Sequence, residues 1–460
     1  MDLEDIDTNR ILSPQAIVLA LLLGYSIYVT GLITYRLYFS PIAHIPGSKL
    51  TAATGWYETY LDVFKGGQFT FQIEEWHRQY GPIVRITPWE VHIADPDFYE
   101  VLFNNKTRYS KIEKLRYRFG LHLSSFDTID HAHHHLRRSA ISPFFAKQKV
   151  AGFSSQMQSM ADKMVDRLAT GYSEKVKPVN MNEAYAAFIL NPLMVPVFRF
   201  HNEVKDQIIK VISGQNTSNK GVQHRTVFHE LLQSNLPPEE LSVERLKHEA
   251  ASITGAGIDT TKTTLALATF HILDNPSVFK RLREELKTRI PRANEPMPPL
   301  HELESLPFLN AVVQESLRLA FGITQRLSRI SPDGPITYGS YVIPPNVPFS
   351  MTSYIQHRDP KIYPEPDVFR PERWLENQKT ASGKPLSRYL VPFGKGPRMC
   401  LGMNFAMAEL YIGLATVFRR LDIELYDTGR DAVDMAADYF VPIPKEGTQG
   451  VRVMVIGTSA

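Results

Sequence analysis

Phe393-Gly394-Lys395-Gly396-Pro397-Arg398-Met399-Cys400-Leu401-Gly402 contains the only cysteine in a chain of 460 residues. An apolar pattern with helical spacing follows it over residues 405–418. A cysteine just before a helix lies near free backbone N–H groups and the positive end of the helix dipole, which both favour the thiolate. Although a lone cysteine is more often a small buried apolar side chain, this position predicts a functional sulfur at Cys400.

The residues around Cys400 suit a flat, anionic ligand. Gly396 and Gly402 allow close approach or a left-handed backbone, and Arg398 offers donors to a carboxylate. Phe393 is placed to cover the sulfur. The segment resembles the cysteine-loop signature of the cytochrome P450 superfamily, Phe-x-x-Gly-x-Arg-x-Cys-x-Gly. The resemblance implies haem b as cofactor, with Cys400 as the axial metal ligand and Arg398, Phe393, Gly396 and Gly402 around the haem.

The composition of the chain excludes several other classes of function. Hydrophobic residues make up 43% of the chain and charged residues 22%, as in an ordinary globular protein. A net charge of +3 without a concentrated basic block gives no basis for nucleic-acid binding. One cysteine excludes an intramolecular disulfide and thiolate-rich zinc or iron–sulfur sites.

The N-terminus predicts a membrane anchor. Residues 11–35 carry no charge and are numerous enough to span a bilayer. The leading segment is acidic, which disfavours a cleaved signal peptide, and a terminal position disfavours a buried core helix. Arg36 and Lys49 follow the stretch and bias its C-terminal side towards the cytosol. We therefore expect an anchor over residues 1–35 and a haem-thiolate catalytic domain over residues 36–460. The resemblance to microsomal P450s implies the endoplasmic reticulum membrane, with a single-pass anchor and a cytosolic catalytic domain.

Residues 81–93 alternate apolar and polar side chains about a Pro-Trp turn, which predicts a β-hairpin. This region resembles the fungal secondary-metabolite P450s similar to trichodiene oxygenase. The fold implied is mainly α-helical with a small β-sheet region, an N-terminal transmembrane helix and a shortened lid (F–G) region. The shortening is expected after Asn180, because the interval from Arg138 to Ala256 is several tens of residues shorter than in relatives. A lost exon in the gene model would give the same result.

Four histidines lie between residues 131 and 135, which raises the alternative of a separate metal site. No carboxylate motif completes such a site. The segment instead resembles the family's aromatic-x-x-x-Arg helix that hydrogen-bonds a haem propionate, with His134 and Arg138 on one helix face. Arg137 is the alternative to Arg138. By resemblance, Arg326 is a second arginine for the propionates.

Residues 255–261, Gly-Ala-Gly-Ile-Asp-Thr-Thr, lie inside a long helical pattern that Ser242 is placed to cap. Glycines in mid-helix are unfavourable, so they predict a local opening that makes room for dioxygen; a polar kink is the alternative. The segment resembles the family's oxygen-activation motif. The resemblance implies Thr260 as a hydrogen-bond donor and Asp259 as a proton relay, the two catalytic residues.

Glu315 and Arg318 are spaced to interact on one helix face, and Arg373 follows in a Phe-Arg-Pro-Glu-Arg-Trp segment. Their order resembles the family's Glu-Arg-Arg triad, which implies a structural brace for the cysteine loop. By sequence position, residues 321–324 and 439–442 are expected to border the substrate, with ordinary core packing as the alternative.

The resemblance implies a haem-thiolate monooxygenase that inserts one oxygen atom from O2 into a hydrophobic secondary metabolite, a terpenoid, polyketide or hybrid. Because no flavin or dinucleotide fingerprint is evident, electrons are expected from NADPH through cytochrome P450 reductase. Three alternatives stay open: a haem-thiolate isomerase or dehydratase, a haem-binding protein impaired by its short lid, and a membrane-anchored cysteine hydrolase.

Overall fold

The computed structural model describes residues 14–172, 177–190 and 227–459. Most of the described chain is helical. The long helices are α1 Pro14–Thr34, α2 Phe69–Tyr80, α3 His131–Ile141, α4 Lys147–Tyr172, α5 Met181–Leu190, α6 Val243–Asp274, α7 Pro276–Arg289, α8 Pro307–Ala320 and α9 Met403–Arg420. Shorter helices cover Lys49–Ala53, Trp56–Thr59, Tyr99–Leu102, Val227–Leu232, Leu300–Glu304 and Ser353–His357.

The strands are short and form small sheets. They are β1 Ile83–Arg85, β2 Val91–Ile93, β3 Ser110–Lys111, β4 Val179–Asn180, β5 Arg329–Ile330, β6 Ile336–Tyr338, β7 Tyr341–Ile343, β8 Phe349–Ser350, β9 Leu421–Leu425, β10 Ala437–Tyr439, β11 Val441–Ile443 and β12 Arg452–Thr458. A five-stranded sheet has the order β1-β2-β8-β5-β3, and a three-stranded sheet the order β4-β12-β9. β1 and β2 form the predicted hairpin, with Ile83 opposite Ile93.

The main core lies between α6 and α9. α9 is buried along most of its length because apolar residues occupy nearly its whole circumference. Gly413 lets α9 approach its neighbours closely: a Cβ at this position would lie 3.2 Å from Leu265 of α6 and 3.3 Å from Phe188 of α5. Because α9 begins just after the cysteine loop, this packing fixes the loop against α6.

The N-terminal helix α1 has no buried side chain and continues as a π-helical turn, Tyr35–Phe39. Among the described residues, one helix, Pro14–Phe39, is long and apolar enough to cross a membrane. Arg36 fixes its end to the rest of the protein, since its Nη1 donates to the Ala53 carbonyl at 2.9 Å.

The predicted mainly helical fold with small sheets is confirmed. Ser242 caps α6 as expected, accepting from the Arg245 N–H at 3.4 Å. The predicted lid shortening falls on the segment between α5 and Val227, and residues 191–226 lie outside the described residues.

Candidate functional site

The cysteine loop is a tight turn held by its own backbone. The Cys400 N–H donates to the Phe393 carbonyl at 2.8 Å, and the Met399 N–H donates to Gly396 at 3.1 Å. Gly396 has a φ of +75°, and a Cβ there would lie 2.7 Å from the Phe103 carbonyl, so glycine is required on both counts. Gly402 has an ordinary φ of −83°, so it does not adopt the left-handed conformation that was one of its two expected roles. The space beside its Cα is open, which leaves room for the other, close approach of a ligand.

The Cys400 side chain is accessible to solvent and yet partly desolvated by protein, which places the sulfur in a recess. Burial raises the pKa of the Cys400 thiol, while the Gly402 N–H and the Arg138 charge lower it. The net direction is upward, so the loop alone does not produce a thiolate near neutral pH. Coordination to a metal ion deprotonates such a thiol outright.

Arg398 joins the loop to the segment before α3. Its guanidinium donates to the carbonyls of Thr128 at 2.8 Å, Ile129 at 2.7 Å and Asp130 at 3.1 Å. Its buried Nε has no hydrogen-bond partner in the described part of the chain. Burial, together with nearby Arg329 and Arg138, lowers the pKa of Arg398 to about 9.

α3 brings His134 and Arg138 to the same region. Asp130 caps the helix by accepting from the His133 N–H at 2.7 Å. His134 is buried, and burial and surrounding cations lower its pKa to about 2, so its ring is neutral. Its Nδ1 is among the buried atoms without a partner in the described chain. The electrostatic influence of Cys400 on Arg138 places this guanidinium near the sulfur.

Glu240 distinguishes the two adjacent arginines. Arg137 donates through Nε and Nη2 to its carboxylate at 2.7 and 3.0 Å. The Arg138 guanidinium forms no hydrogen bond or ion pair within residues 14–172, 177–190 and 227–459. No group of three or more His, Cys, Asp or Glu side chains in the described chain is arranged to hold a metal ion.

Two further basic side chains lie opposite each other in the five-stranded sheet. Lys111 of β3 pairs in register with Arg329 of β5, and both are buried. Within the part of the chain that the structure describes, the Arg329 guanidinium donates to the carbonyls of Leu327 and Ser328, at 2.8 and 3.2 Å, and to no other group. Burial lowers its pKa to about 10. Burial and the charges of Arg329 and Arg398 also lower the pKa of Lys111 well below its ordinary value. Like charges directly opposite on neighbouring strands are unfavourable, so an anion bound here would stabilise the charged form of Lys111.

Together the guanidinium groups of Arg138, Arg329 and Arg398, with Lys111 and the neutral His134 among them, form a cluster beside Cys400 that we call the cationic cluster. Asp127 interacts electrostatically with Lys111, and Asp130 with Arg398. Neither acid forms an ion pair with a member of the cluster in the described chain. Buried cations require anionic partners. The paired carboxylates of a haem next to a cysteine ligand would supply them, so the residues present fit haem.

The structure does not bring Arg326 to this cluster, which corrects the expectation for that residue. Its guanidinium lies 2.7 Å from Glu58 and 3.0 Å from Glu90, and these two carboxylates raise its pKa. The Arg326 charge is thus already compensated. Arg329, three positions later, has the free charge that a propionate needs.

The predicted triad is brought together behind the loop. Glu315 accepts from Arg318 Nη2 at 2.8 Å and from Arg373 Nε at 3.0 Å, with all three side chains buried. The Trp374 indole also donates to this carboxylate, at 2.8 Å. Arg318 continues to the His357 carbonyl at 3.0 Å, and the His357 ring accepts from the Val391 N–H at 2.9 Å. This chain of contacts leads from α8 to the start of the cysteine loop.

Asp259 and Thr260 lie on α6, but the arrangement differs from the expectation. α6 is continuous through residues 255–261, without the predicted local opening. The Thr260 hydroxyl donates to the Ala256 carbonyl at 2.8 Å. Asp259 is exposed rather than buried, and forms an ion pair with Lys262 at 2.5 Å, because residues three apart face each other on a helix surface.

The two segments expected to border the substrate are adjacent. The Thr324 N–H donates to the Phe440 carbonyl at 3.1 Å. Phe440 has a φ of +83°, and its ring centroid lies 4.8 Å from that of Phe119 and 6.0 Å from that of Phe126. Lys111 Nζ lies 3.6 Å from the Phe126 ring centroid, so this aromatic group borders the cationic cluster.

Comparisons with known proteins agree with this geometry. A family model described as Cytochrome P450 matches residues 172–447. This chain belongs to the cytochrome P450 family. Cytochrome P450 monooxygenase orf3 of Eupenicillium brefeldianum is 42% identical over 96% of this P450 and 98% of its own length, and orf6 of the same fungus is 41% identical over 93% and 97%. Cytochrome P450 monooxygenase sdnE of Sordaria araneosa is 37% identical over 96% and 99%.

Family membership gives the general chemistry. P450s bind haem b iron through a cysteine thiolate, so the recognition, the cofactor and the oxidoreductase class expected from the sequence are confirmed. Membership also implies a redox-partner reductase and a hydrophobic substrate. The alignment with the orf3 protein runs over 508 positions, more than the 460 residues of this P450, so that relative contains segments absent here.

Several residues of the P450 site were not identified from the sequence. Lys111 and Arg329 become a pair only through strand register. Glu409 of α9 is buried beside Thr261 of α6, and burial raises its pKa to about 8; a single acid inside an apolar helix was the available signal. Gly322, with a φ of +72°, allows the end of α8 to approach the Pro392 carbonyl, where a Cβ would collide.

Proposed function

We propose that this P450 inserts one oxygen atom from O2 into a hydrophobic secondary metabolite of the terpenoid, polyketide or hybrid class. The supporting observation is the cationic cluster next to Cys400, which has no acidic ion-pair partner in the described chain. When bound, thiolate-ligated haem supplies the activation of dioxygen. Two electrons from NADPH, passed through cytochrome P450 reductase, and two protons convert the second oxygen atom to water.

Individual residues take these roles in the proposal. Cys400 ligates the iron, and Arg138, Arg329, Arg398 and the neutral His134 hold the propionates. Gly396 and Gly402 keep backbone bulk away from the haem face, and Phe393 limits solvent access to the sulfur. Glu315, Arg318 and Arg373 keep the loop in position. Thr260 exchanges its hydrogen bond to the Ala256 carbonyl for one donated into the distal space. Asp259 passes protons in from solvent, which its exposed position supports.

The anchor belongs to the same proposal. Residues 1–35 span the endoplasmic reticulum membrane once, and residues 36–460 form the cytosolic catalytic domain. The exposed apolar helix α1 supports this arrangement. In it, the haem domain faces the compartment that contains NADPH and the reductase.

We propose that the segment that is shorter here than in the relatives is the lid. The alignment with orf3 contains positions without a counterpart here, and the short interval between Arg138 and Ala256 is the place the sequence suggests. Sequencing the complete transcript would test this. Recovery of an additional in-frame exon within codons 180–226 would show that the short lid is a gene-model error, whereas a transcript matching this sequence would support a real deletion.

A reduced carbon-monoxide difference spectrum of wild type and Cys400→Ser tests the central proposal. We expect the thiolate-type band in wild type and its loss in the variant. NADPH-dependent product formation in microsomes with reductase tests the reaction. A wild-type protein that takes up no haem would overturn the assignment.

A haem-thiolate isomerase or dehydratase is the second candidate. The observation in its favour is that the Thr260 hydroxyl donates within its own helix and the Asp259 carboxylate pairs with Lys262, so no relay between them is assembled. Such an enzyme would convert its substrate without NADPH. Turnover that persists when NADPH and reductase are omitted would select this candidate.

A further inference from the structure

The short helix Tyr99–Leu102 lies against the cysteine loop. A Cβ added to Gly396 of the loop would lie 2.7 Å from the carbonyl oxygen of Phe103, the residue that follows this helix. On its other side, Tyr99 interacts electrostatically with Arg329 of the cationic cluster. The helix is therefore adjacent both to the cysteine loop and to the side chains that fit the haem propionates.

Glu100 of this helix joins two basic side chains at the surface of the cysteine loop. Its Oε1 accepts from Lys395 Nζ at 2.6 Å, and its Oε2 lies 2.6 Å from Arg388 Nη2. Lys395 Nζ also donates to the Arg388 carbonyl at 2.6 Å. These contacts form a closed ring of three residues, which we call the Glu100 bridge. The ring fixes the charges of Lys395 and Arg388 in one place beside the loop.

The neighbouring acid Asp97 does not contribute to the Glu100 bridge. Its Oδ1 accepts from Lys384 Nζ at 2.6 Å and from the hydroxyl of the buried Tyr389 at 2.7 Å. Within the residues that the structure describes, Glu100 is the acid that forms an ion pair with Lys395. The Glu100 bridge thus contains two cations and one carboxylate, so it keeps a positive charge that Glu100 halves.

This charge is close to the cysteine that ligates the iron. The Cys400 N–H donates to the Phe393 carbonyl at 2.8 Å and so closes a tight turn that contains Lys395. The side chains of Lys395 and Glu100 are only 26% and 33% exposed, so water screens their charges less than it screens charges on freely exposed side chains. Reduction of the haem iron adds a negative charge, which a cation at the loop favours and an acid opposes.

We propose that Glu100 is a positioning residue that lowers the reduction potential of the haem iron. It does so by holding Lys395 and Arg388 at the cysteine loop and cancelling part of their charge. The inference rests on the proposed role of Cys400 as the iron ligand. It separates the Glu100 bridge from the Glu315 triad, which is buried and braces the loop from within.

Potentiometric titration of the full-length holoprotein with a chemical reductant tests this proposal without a partner reductase. The variants are Glu100→Gln, Lys395→Gln and the two combined. All three lose the ion pair between positions 100 and 395. They respectively raise, lower and leave unchanged the net charge of the Glu100 bridge. Glu75→Gln is the matched control, because Glu75 pairs with the exposed Arg78 on α2 and not with the loop.

We expect a higher potential for Glu100→Gln, a lower one for Lys395→Gln, and a potential close to wild type for the double variant and for the control. Both shifts should shrink at about 1 M salt, where charges at the surface are screened within about 3 Å. Shifts of the same sign in the two single variants would show that loss of the bond matters and not the charge, which overturns the proposal. Unchanged potentials in both single variants would overturn it as well.

A further variant and the reduced carbon-monoxide spectrum keep the result interpretable if Lys395→Gln does not retain haem. Arg388→Gln makes the same change of charge outside the cysteine loop and should also lower the potential. A normal thiolate-type band with potentials that do not follow charge overturns the role of Glu100 and leaves the proposed function intact. A wild-type holoprotein without that band overturns the assignment of Cys400, and this inference with it.

Discussion

Arg137 and Glu240 form a buried, two-pronged ion pair, with Nε–Oε2 at 2.7 Å and Nη2–Oε1 at 3.0 Å. The next residue on α3, Arg138, lies about 100° further round the helix, and its guanidinium interacts electrostatically with Cys400. These adjacent arginines on one helix therefore have different roles. One neutralises an acid of the protein, and the other leaves its charge for a ligand.

Replacing Arg138 by Gln should weaken haem binding about 10-fold, because a charge-assisted hydrogen bond contributes about 1.5 kcal/mol or more. The measurement is haem transfer from the holoprotein to a haem acceptor. Arg137→Gln is the matched control. It should lower stability by about 1–3 kcal/mol through the loss of the Glu240 contact and leave the haem transfer rate nearly unchanged. Equal haem loss in both variants would contradict the assignment of Arg138.

Glu315→Gln should destabilise the protein by about 3–5 kcal/mol, because it leaves the buried guanidinium groups of Arg318 and Arg373 without their acid. The loop it braces should then bind haem incompletely. Chemical denaturation and haem content per chain measure the two effects. Arg370→Gln removes a surface pair with Glu365 and should change stability by less than about 1 kcal/mol. Comparable losses of stability and haem content in the two variants would show that the triad does not brace the loop.

Gly322→Ala should displace the cysteine loop, since the added Cβ meets the Pro392 carbonyl and the φ of +72° disfavours alanine. The expected result is a larger fraction of protein without the thiolate-type band in the reduced carbon-monoxide spectrum. Gly383→Ala shares the conformational cost, with a φ of +77°, but has no neighbour within 4 Å. It should therefore reduce stability by about 1–2 kcal/mol without altering the spectrum. A normal spectrum for Gly322→Ala would exclude the proposed positioning role.

Local sequence specified the cysteine loop, the hairpin and the capped helix α6 because their determinants are close in the chain. Glycines, a cap residue and alternation are visible without tertiary structure. The contacts of Glu315 could also be predicted from the sequence, since Glu315 and Arg318 share a helix face. The family resemblance added the order of these segments along the chain.

The cationic cluster was only partly predictable because it is assembled by strand register. In Arg326-Leu327-Ser328-Arg329, the sequence offers two arginines and no indication of which acids lie opposite. Glu58 and Glu90, distant in the chain, neutralise the first, while β5 places the second opposite Lys111. Asp259 likewise pairs with Lys262, a neighbour on the helix surface.

Glu409 should make stability depend on pH. Its buried carboxyl lies beside Thr261, and burial raises its pKa to about 8 from an ordinary value of 4.5. Between these two values the folded protein keeps a proton that the unfolded chain releases, so stability should fall as pH rises from about 4.5 to about 8. The contribution of the protonated Glu409 to stability is fully present below its ordinary pKa of 4.5 and is lost above its folded-state pKa of about 8. Its size is on the order of a few kcal/mol, because one pKa unit corresponds to about 1.4 kcal/mol.

Glu409→Gln keeps the size and hydrogen-bonding capacity of the side chain and removes the ionisation. Apparent unfolding midpoints of wild type and variant, compared at about pH 5.5 and about pH 8.5, should differ little at the lower pH. At the higher pH the variant should be the more stable protein, because it has no carboxylate to bury. Glu424→Gln, at a position outside the core, serves as the control and should leave the wild-type pH dependence intact. A Glu409→Gln profile parallel to wild type would show that this carboxyl is ionised in the folded protein across the range.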